Sequence, residues 1–498
     1  MCRAKLVKCQ IKVCSWTHLV TAKGIDLCDL GSGATIDVLP EDTLLDIFDF
    51  DRIHESDYSK WRWDRLVHVC RRWRQIVFAS PLRLHLQLRC TRGTPVRKYL
   101  GVWPPLPLAI DYDLIKCHAS DRQDNLLAAL ENPDRVGLLY LRIKVPDLAK
   151  LATALRKPFP MLIKLRLSLN DPRPKQLPRG FLGGSMPRLQ ELHLNAIPFA
   201  KLPKFLLSAH DLVTLHLSEV PLDGQISPEK MAACLATLTR LTSLSIIFHS
   251  KYFAVFSDEI DPASVTPIVL PALTSIKFHG LSEYVEALLT QIECPQLKNI
   301  DLSYLHPLLG FQMTQLFDFI NRSEDPRPPL FGQMDVIFVP TEITIKFSYE
   351  DPNQIAICLR LSGRFDWDVS HIAQVCSQFS NKLSSMRHLS IDSKGRGPER
   401  PQLGRSDWLQ LFSSCPFTTI QALSIFGDCV GHVALLLDDG DRQIGSSLLP
   451  ALELLYIHGL PVSSVAEFCA ARQLSGRPVT FVKTQMEFTR KLKLYRGE

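Results

Sequence analysis

A short phrase of alternating leucines recurs along most of this chain. It reads LIKLRLSLN from residue 162, LQELHLNAI from 189, LVTLHLSEV from 212, LTSLSIIFH from 241, LTSIKFHGL from 273 and LKNIDLSYL from 297. Further copies are MRHLSIDS from 386, IQALSIFGD from 420 and LELLYIHGL from 452, with LLYLRI (138–143) as an earlier, shorter one. Each predicts a short strand, because successive side chains on a strand point to opposite faces. At the 162 copy, Leu165 and Leu167 turn inward while Lys164 and Arg166 turn outward. No single copy can bury its apolar side alone, so stacked neighbours are expected. Between about 306 and 385 the phrase fades into DVIFVP, EITIKFSYED and IAICLRLSG, which read as strands of longer, divergent units.

Near the N-terminus the period changes from two to 3.6. In WDRLVHVCRRWRQIVFASP (63–81), Leu66, Val69, Cys70, Trp73, Ile76 and Val77 fall on one stripe of a single helix. Arg65, Arg71, Arg72 and Arg74 lie off it, and Cys70 within the stripe reads as a small buried hydrophobe rather than a reactive thiolate. Upstream, in IDVLPEDTLLDIFDFD (36–51), Leu44, Ile47 and Phe48 make a second stripe. Asp37 or Pro40 can start that helix, with Glu41 and Asp42 suited to its positive end. The acidic first helix and the basic second one most simply offset each other, which weakens a nucleic-acid reading of the arginines.

The bulk numbers add little to this picture. The chain has 498 residues, 46% hydrophobic and 22% charged, which allows a large core, and its formal charge of +6 is too mild to demand a polyanionic partner. Its 14 cysteines sit singly, without CxxC pairs, as reduced intracellular thiols do. Cys2, Cys9, Cys14 and Cys28 fit no zinc spacing. The first residues lack the apolar run of an export signal, and no stretch approaches the roughly 18 apolar residues of a membrane span. A cytoplasmic or nuclear protein without a membrane segment is expected.

Two resemblances follow from these motifs. LPEDTLLDIF followed by LVHVCRRWRQIVFASP resembles an F-box of the type common in large fungal families: Leu-Pro, a Leu…Ile-Phe helix, a Val-Cys-Arg-x-Trp helix and a Ser-Pro. The resemblance covers roughly residues 36–85. It departs from the family in a longer stretch between the helices and in Leu84 near the place of a usual Trp. It implies docking on the Skp adaptor, and through it on a cullin, by Leu39, Pro40, Leu44, Leu45, Ile47, Phe48, Val69, Cys70 and Trp73. The L-x-x-L-x-L phrase is similar to the leucine-rich-repeat signature. Only Asn170 stands where regular repeats keep an asparagine; Ile197, Val220, Leu281, Leu305 and Leu460 stand there in other copies. The expected fold is therefore α+β or α/β, a small N-terminal helical F-box-like unit followed by an irregular leucine-rich-repeat solenoid. The expected division is an arm (1–34), the F-box-like unit (35–90), a hinge and cap (91–135) that includes GVWPPLPLAIDYD, the solenoid (136–480), and a C-terminal cap and tail (481–498).

Such a fold presents a concave face built from the non-leucine strand positions. Lys164, Arg166, His193, His216, Lys277, Asp301 and Tyr456 are its candidate target-binding residues, with Glu191, Ser245, Asn299, Ser390 and Asp392 beside them. Their mixed charge suits a protein target better than a phosphate backbone. His193 and His216 occupy the same place on consecutive copies, roughly 5 Å apart by strand spacing, and read as polar neighbours rather than a metal pair. No Gly-rich phosphate loop, HExxH, GxSxG or kinase signature appears. CVGH (429–432) reads as a turn, and LLLDDGD (435–441) lacks the spacing of a calcium loop. The expectation is a non-catalytic substrate-recognition subunit of a Skp/cullin/F-box ubiquitin ligase, without cofactor, metal, nucleic acid or membrane. The alternative is an interaction scaffold unconnected with ubiquitin.

Overall fold

The computed structural model of the chain describes residues 39–54, 63–81, 83–115, 121–170, 177–198, 205–221, 225–248, 267–305, 313–321, 331–339, 342–348, 355–362, 369–384, 386–393, 405–415, 417–427, 429–431, 433, 449–458 and 465–484. The expected arm at 1–34, Leu460, LLLDDGD and the tail beyond Thr484 lie outside them. The chain divides into two compact units, Met1–Leu88 with Trp103–Leu106, and Arg89–Val102 with Pro107–Glu498.

In the first unit, α1 spans Glu41–His54, α2 Trp63–Leu66 and α3 Arg71–Ala79. The first helix starts where Pro40 accepts the amide of Leu44 (3.1 Å), with Glu41 and Asp42 in its first turn. The single helix predicted over 63–81 is two. The amides of His68 and Val69 fold back on the carbonyls of Arg65 and Leu66 (3.3 and 3.2 Å), which ends α2 in a tight turn. Cys70 then takes extended backbone angles, and its sulfur accepts the amide of Trp73 at 3.4 Å, so it caps α3. Arg74 Nε donates to the Val67 carbonyl at 2.9 Å, which fills one of the acceptors left at the break. The core of the unit joins Leu44, Ile47 and Phe48 of α1 to Trp63, Trp73, Ile76 and Val77, with Trp103 packed at its margin.

The second unit is a sixteen-stranded sheet. Its strands in chain order are β1 Leu88–Thr91, β2 Leu108–Asp113, β3 Val136–Ile143, β4 Lys164–Leu169, β5 Glu191–Asn195, β6 Thr214–Val220, β7 Ser243–Phe248 and β8 Ser275–Gly280. They continue as β9 Asn299–Leu305, β10 Gln333–Val339, β11 Glu342–Ser348, β12 Ile355–Ser362, β13 His388–Ser393, β14 Ala422–Gly427, β15 Leu454–His458 and β16 Thr480–Thr484. From β2 to β9 the strands lie in sequence order and pair in parallel. There the order breaks. β12 lies against β9 in parallel, β11 runs antiparallel to both β12 and β10, and β10 pairs in parallel with β13. The strands β13 to β16 then resume the parallel order.

This overturns the expected fold class. Among the described residues the chain forms an α/β protein dominated by a large, mostly parallel mixed sheet with helices, in place of the expected helical unit followed by a leucine-rich-repeat solenoid. The physical reason lies in connection lengths. A parallel crossover takes a dozen or more residues, but Val339 pairs with Glu342, leaving only residues 340–341 between β10 and β11. A connection that short allows only a hairpin. The meander β10–β11–β12 therefore enters the sheet in reverse order, which a stack of like repeats would not allow.

Alternation in β4 and β5 and along the first half of β6 is as the sequence predicts, whereas β7 and β9 to β11 bury runs of three or more residues, Ser245 among them. Leu165, Leu167, Leu192, Leu194, Leu215 and Leu217 are buried, each side chain contributing about 1.5–3 kcal/mol. Helices sit in the connections and pack on one another: Pro228–Leu235 on Ser282–Gln291, that helix on Thr314–Asn321, and Val369–Gln378 on Arg405–Ser414. Ser227 shows why the first of these begins where it does. Its hydroxyl accepts the Lys230 amide at 3.5 Å, and Pro228 fills a position that needs no amide hydrogen.

Candidate functional site

Parallel pairing in register lines up the outward residues of neighbouring strands. One row runs Asp111, Tyr140, Arg166, His193, His216 and Ser245 from β2 to β7. It continues through Lys277 and Asp301 on β8 and β9. Five of the seven predicted target-binding residues, Arg166, His193, His216, Lys277 and Asp301, thus become consecutive members of one row, broken only by Ser245. Lys164 stands in a parallel row with Glu191 and Thr214. Tyr456 stands near the far end of the long row, beyond the reversed meander, between Ser424 and Val482.

Over β2 to β6 this face carries a depression of about 290 Å³. Its floor is the Arg166–Tyr140 pair, with the guanidinium carbon 5.2 Å from the ring centroid, and the two imidazoles, whose centroids are 5.3 Å apart. A polar chain runs alongside: Ser168 Oγ donates to Asn195 Oδ1 at 3.1 Å, and Asn195 Nδ2 donates to Ser218 Oγ at 2.9 Å. Lys164 Nζ binds Glu191 at 2.5 Å, leaving Arg166 only a long approach to the same carboxylate at 3.9 Å. Arg142 and Asp113 stand 4.0 Å apart, while Asp111 is drawn to Arg89 at 3.5 Å. Farther along, Asp301 binds Arg360 and stands 3.5 Å from Lys277.

The histidines are held neutral. Burial, then Arg166 and the neighbouring imidazole, push His193 down to about 4. Burial, then Lys277 and Arg166, also lower His216. A neutral imidazole carries one N–H donor and one acceptor nitrogen. The cations beside the pair disfavour a metal ion there. Among the described residues, no group of three or more His, Cys, Asp or Glu is placed to hold one.

Tyr140, Arg142, Asp111 and Asp113 line the depression but were absent from the sequence-derived face. LAIDYD (108–113), expected within the hinge, is β2, with Leu108, Ile110 and Tyr112 buried. Its alternation carried the signal, and the prolines before it obscured it. CVGH, expected to be a turn, is one only at Cys429, which is buried with its thiol donating to the Phe426 carbonyl at 3.2 Å. Val430 and Gly431 are helical, with the Val433 amide donating to the Cys429 carbonyl at 3.0 Å, and His432 lies outside the described residues.

The nine residues expected to dock on an adaptor divide between the unit's core and its surface. Leu44, Leu45, Ile47, Phe48 and Trp73 are buried in the unit's own core, and the Phe48 and Trp73 rings meet edge-on at 4.8 Å. Leu39 and Cys70 pack at its margin. Pro40 is exposed, and Val69, read as part of the buried stripe, is 58% exposed because the turn before Cys70 swings it outward. Among the described residues no helix is long and apolar enough to cross a membrane. Comparison with protein-family models and with curated proteins finds no match to this chain.

Proposed function

We propose that this chain is a non-catalytic recognition subunit of a Skp/cullin/F-box type ubiquitin ligase, acting in the cytoplasm or nucleus. In this reading the helical unit docks on the Skp adaptor and the polar face of the sheet holds a target protein. The observation that supports it is the pairing of two ordered motifs, LPEDTLLDIF and VCRRW, around Phe48 and Trp73, in a chain that also carries a long polar sheet face. The buried members of the motifs give the unit its shape. Adaptor contact then falls to the rim: Leu39, Pro40, Val69 and Cys70, which remain wholly or partly at the surface. On the sheet, alternating cations, anions and neutral imidazoles fit a protein segment better than a polyphosphate.

A second reading, an interaction scaffold unconnected with ubiquitin, draws on the burial of Leu44, Leu45, Ile47, Phe48 and Trp73, which leaves little apolar seam for an adaptor. Capture of the full-length chain by a recombinant Skp adaptor separates the two. Wild type is expected to be retained, and Val69→Asp to lose about tenfold in retention while keeping its thermal midpoint. Trp73→Ala is the contrasting control. It empties a buried site and is expected to cost about 3–5 kcal/mol of stability, so its loss of capture would follow loss of fold. No capture of wild type would sink the ligase reading and leave the scaffold.

A further inference from the structure

We infer that the depression over β2 to β6 receives a single carboxylate carried on an extended segment of a partner protein, anchored by Arg166 and Arg142. The inference rests on the reading of this face as a protein-binding surface and names the chemistry it selects.

Donors outnumber free acceptors there. Arg166 and Arg142 reach their nearest carboxylates only at 3.9 and 4.0 Å, beyond hydrogen-bond length, and among the described residues neither guanidinium makes a hydrogen bond. Each neighbouring carboxylate has one oxygen taken, Glu191 Oε1 by Lys164 at 2.5 Å and Asp113 Oδ1 by the Ile115 amide at 3.1 Å, and its other oxygen faces the arginine without reaching it. Arg166 is oriented by the Tyr140 ring, so its planar fork of donors is partly organised before a ligand arrives. The neutral His193 and His216 each add a donor without adding charge.

Size and charge narrow the ligand. A volume of about 290 Å³ lies at the low end for small-molecule sites and suits one or two side chains. Asp111 and Asp113 balance Arg142 and Arg166 in the lining, so a singly charged carboxylate is tolerated where a doubly charged phosphate is repelled by both aspartates. Arg166 and Lys277 lie on one row across four strand spacings of about 4.8 Å, which gives an extended segment a polar track beyond the anchor.

The test uses the full-length protein on an array of nine-residue peptides of random flanks, each made with Glu, Gln or phosphoserine at its centre. Glu peptides are expected to be retained about tenfold over their Gln partners, the scale of one charge-assisted bidentate contact. Arg142→Gln/Arg166→Gln is expected to abolish that preference with its thermal midpoint and adaptor capture unchanged. Ser168→Glu, which places a carboxylate in the depression without removing a cation, is expected to do the same. Absence of a Glu preference in wild type, its survival in both variants, or a ranking of phosphoserine above Glu would each overturn the assignment. Loss of adaptor capture with the Glu preference intact would sink the ligase reading alone.

Discussion

His193 and Glu286 show how burial sets the charge of single residues, with opposite consequences for pH. His193, pushed down to about 4, stays neutral in the folded chain while an unfolded histidine titrates near 6.5. Between those values the unfolded state binds more protons, so this group's contribution is full above 6.5 and lost as pH falls through 4. Glu286, on the helix Ser282–Gln291, is pushed up to about 7 by burial, although its carboxylate accepts the Gln315 amide at 2.8 Å. Its folded form keeps a proton that the unfolded chain releases, so its contribution is present below 4.5 and lost as pH rises through 7. The two effects oppose each other across nearly the same window. Thermal midpoints from pH 4 to 8 are expected to rise more steeply with pH in Glu286→Gln than in wild type, and less steeply in His193→Asn. Superimposable profiles for all three proteins would show that these environments do not control the titration.

Element boundaries turn on a few side chains that periodicity alone undervalues. The apolar stripe over 63–81 is legible, and Trp73, Ile76 and Val77 are buried as it predicts. Its continuity is not, because Cys70 spends its sulfur on a backbone amide and the helix restarts there. A thiol is a weak acceptor, so nothing in residue type marked it as a cap. Gly427 is the clearer case of a residue that an element requires. It closes β14 at φ +76°, and a Cβ there would lie 2.0 Å from the Ser393 carbonyl oxygen at the end of β13. Gly427→Ala is expected to cost about 2–4 kcal/mol from the left-handed backbone and the clash together. Denaturant unfolding would read this, and a change below 1 kcal/mol would mean the strand end relaxes freely.

At the scale of the whole molecule, the reversed meander joins two parallel blocks of sheet. Ile345 lies buried at its centre, paired with Val336 on one side and Leu359 on the other. Ile345→Ala is expected to cost about 2–5 kcal/mol. Its effect should reach both blocks, read as faster amide exchange in β9 and in β13, whereas loosening confined to 333–362 would mean the blocks are independent. The sequence by itself determined the buried leucines and most of the polar row of β4 to β6, since side-chain alternation is a local property of extended backbone, but not the runs of buried residues in β7 and β9 to β11, where both faces of the strand are covered. It also placed the apolar residues of α1 and α3, because helical spacing is equally local. The repeat register likewise placed His193 beside His216, whose rings lie 5.3 Å apart. Only the tertiary structure decided the strand order around the meander, the closure of α1 and α3 over Phe48 and Trp73, and the meeting of Arg166 with Tyr140. Those depend on which strand pairs with which and on how long each connection is, and such long-range choices leave no mark in the periodicity of any one segment.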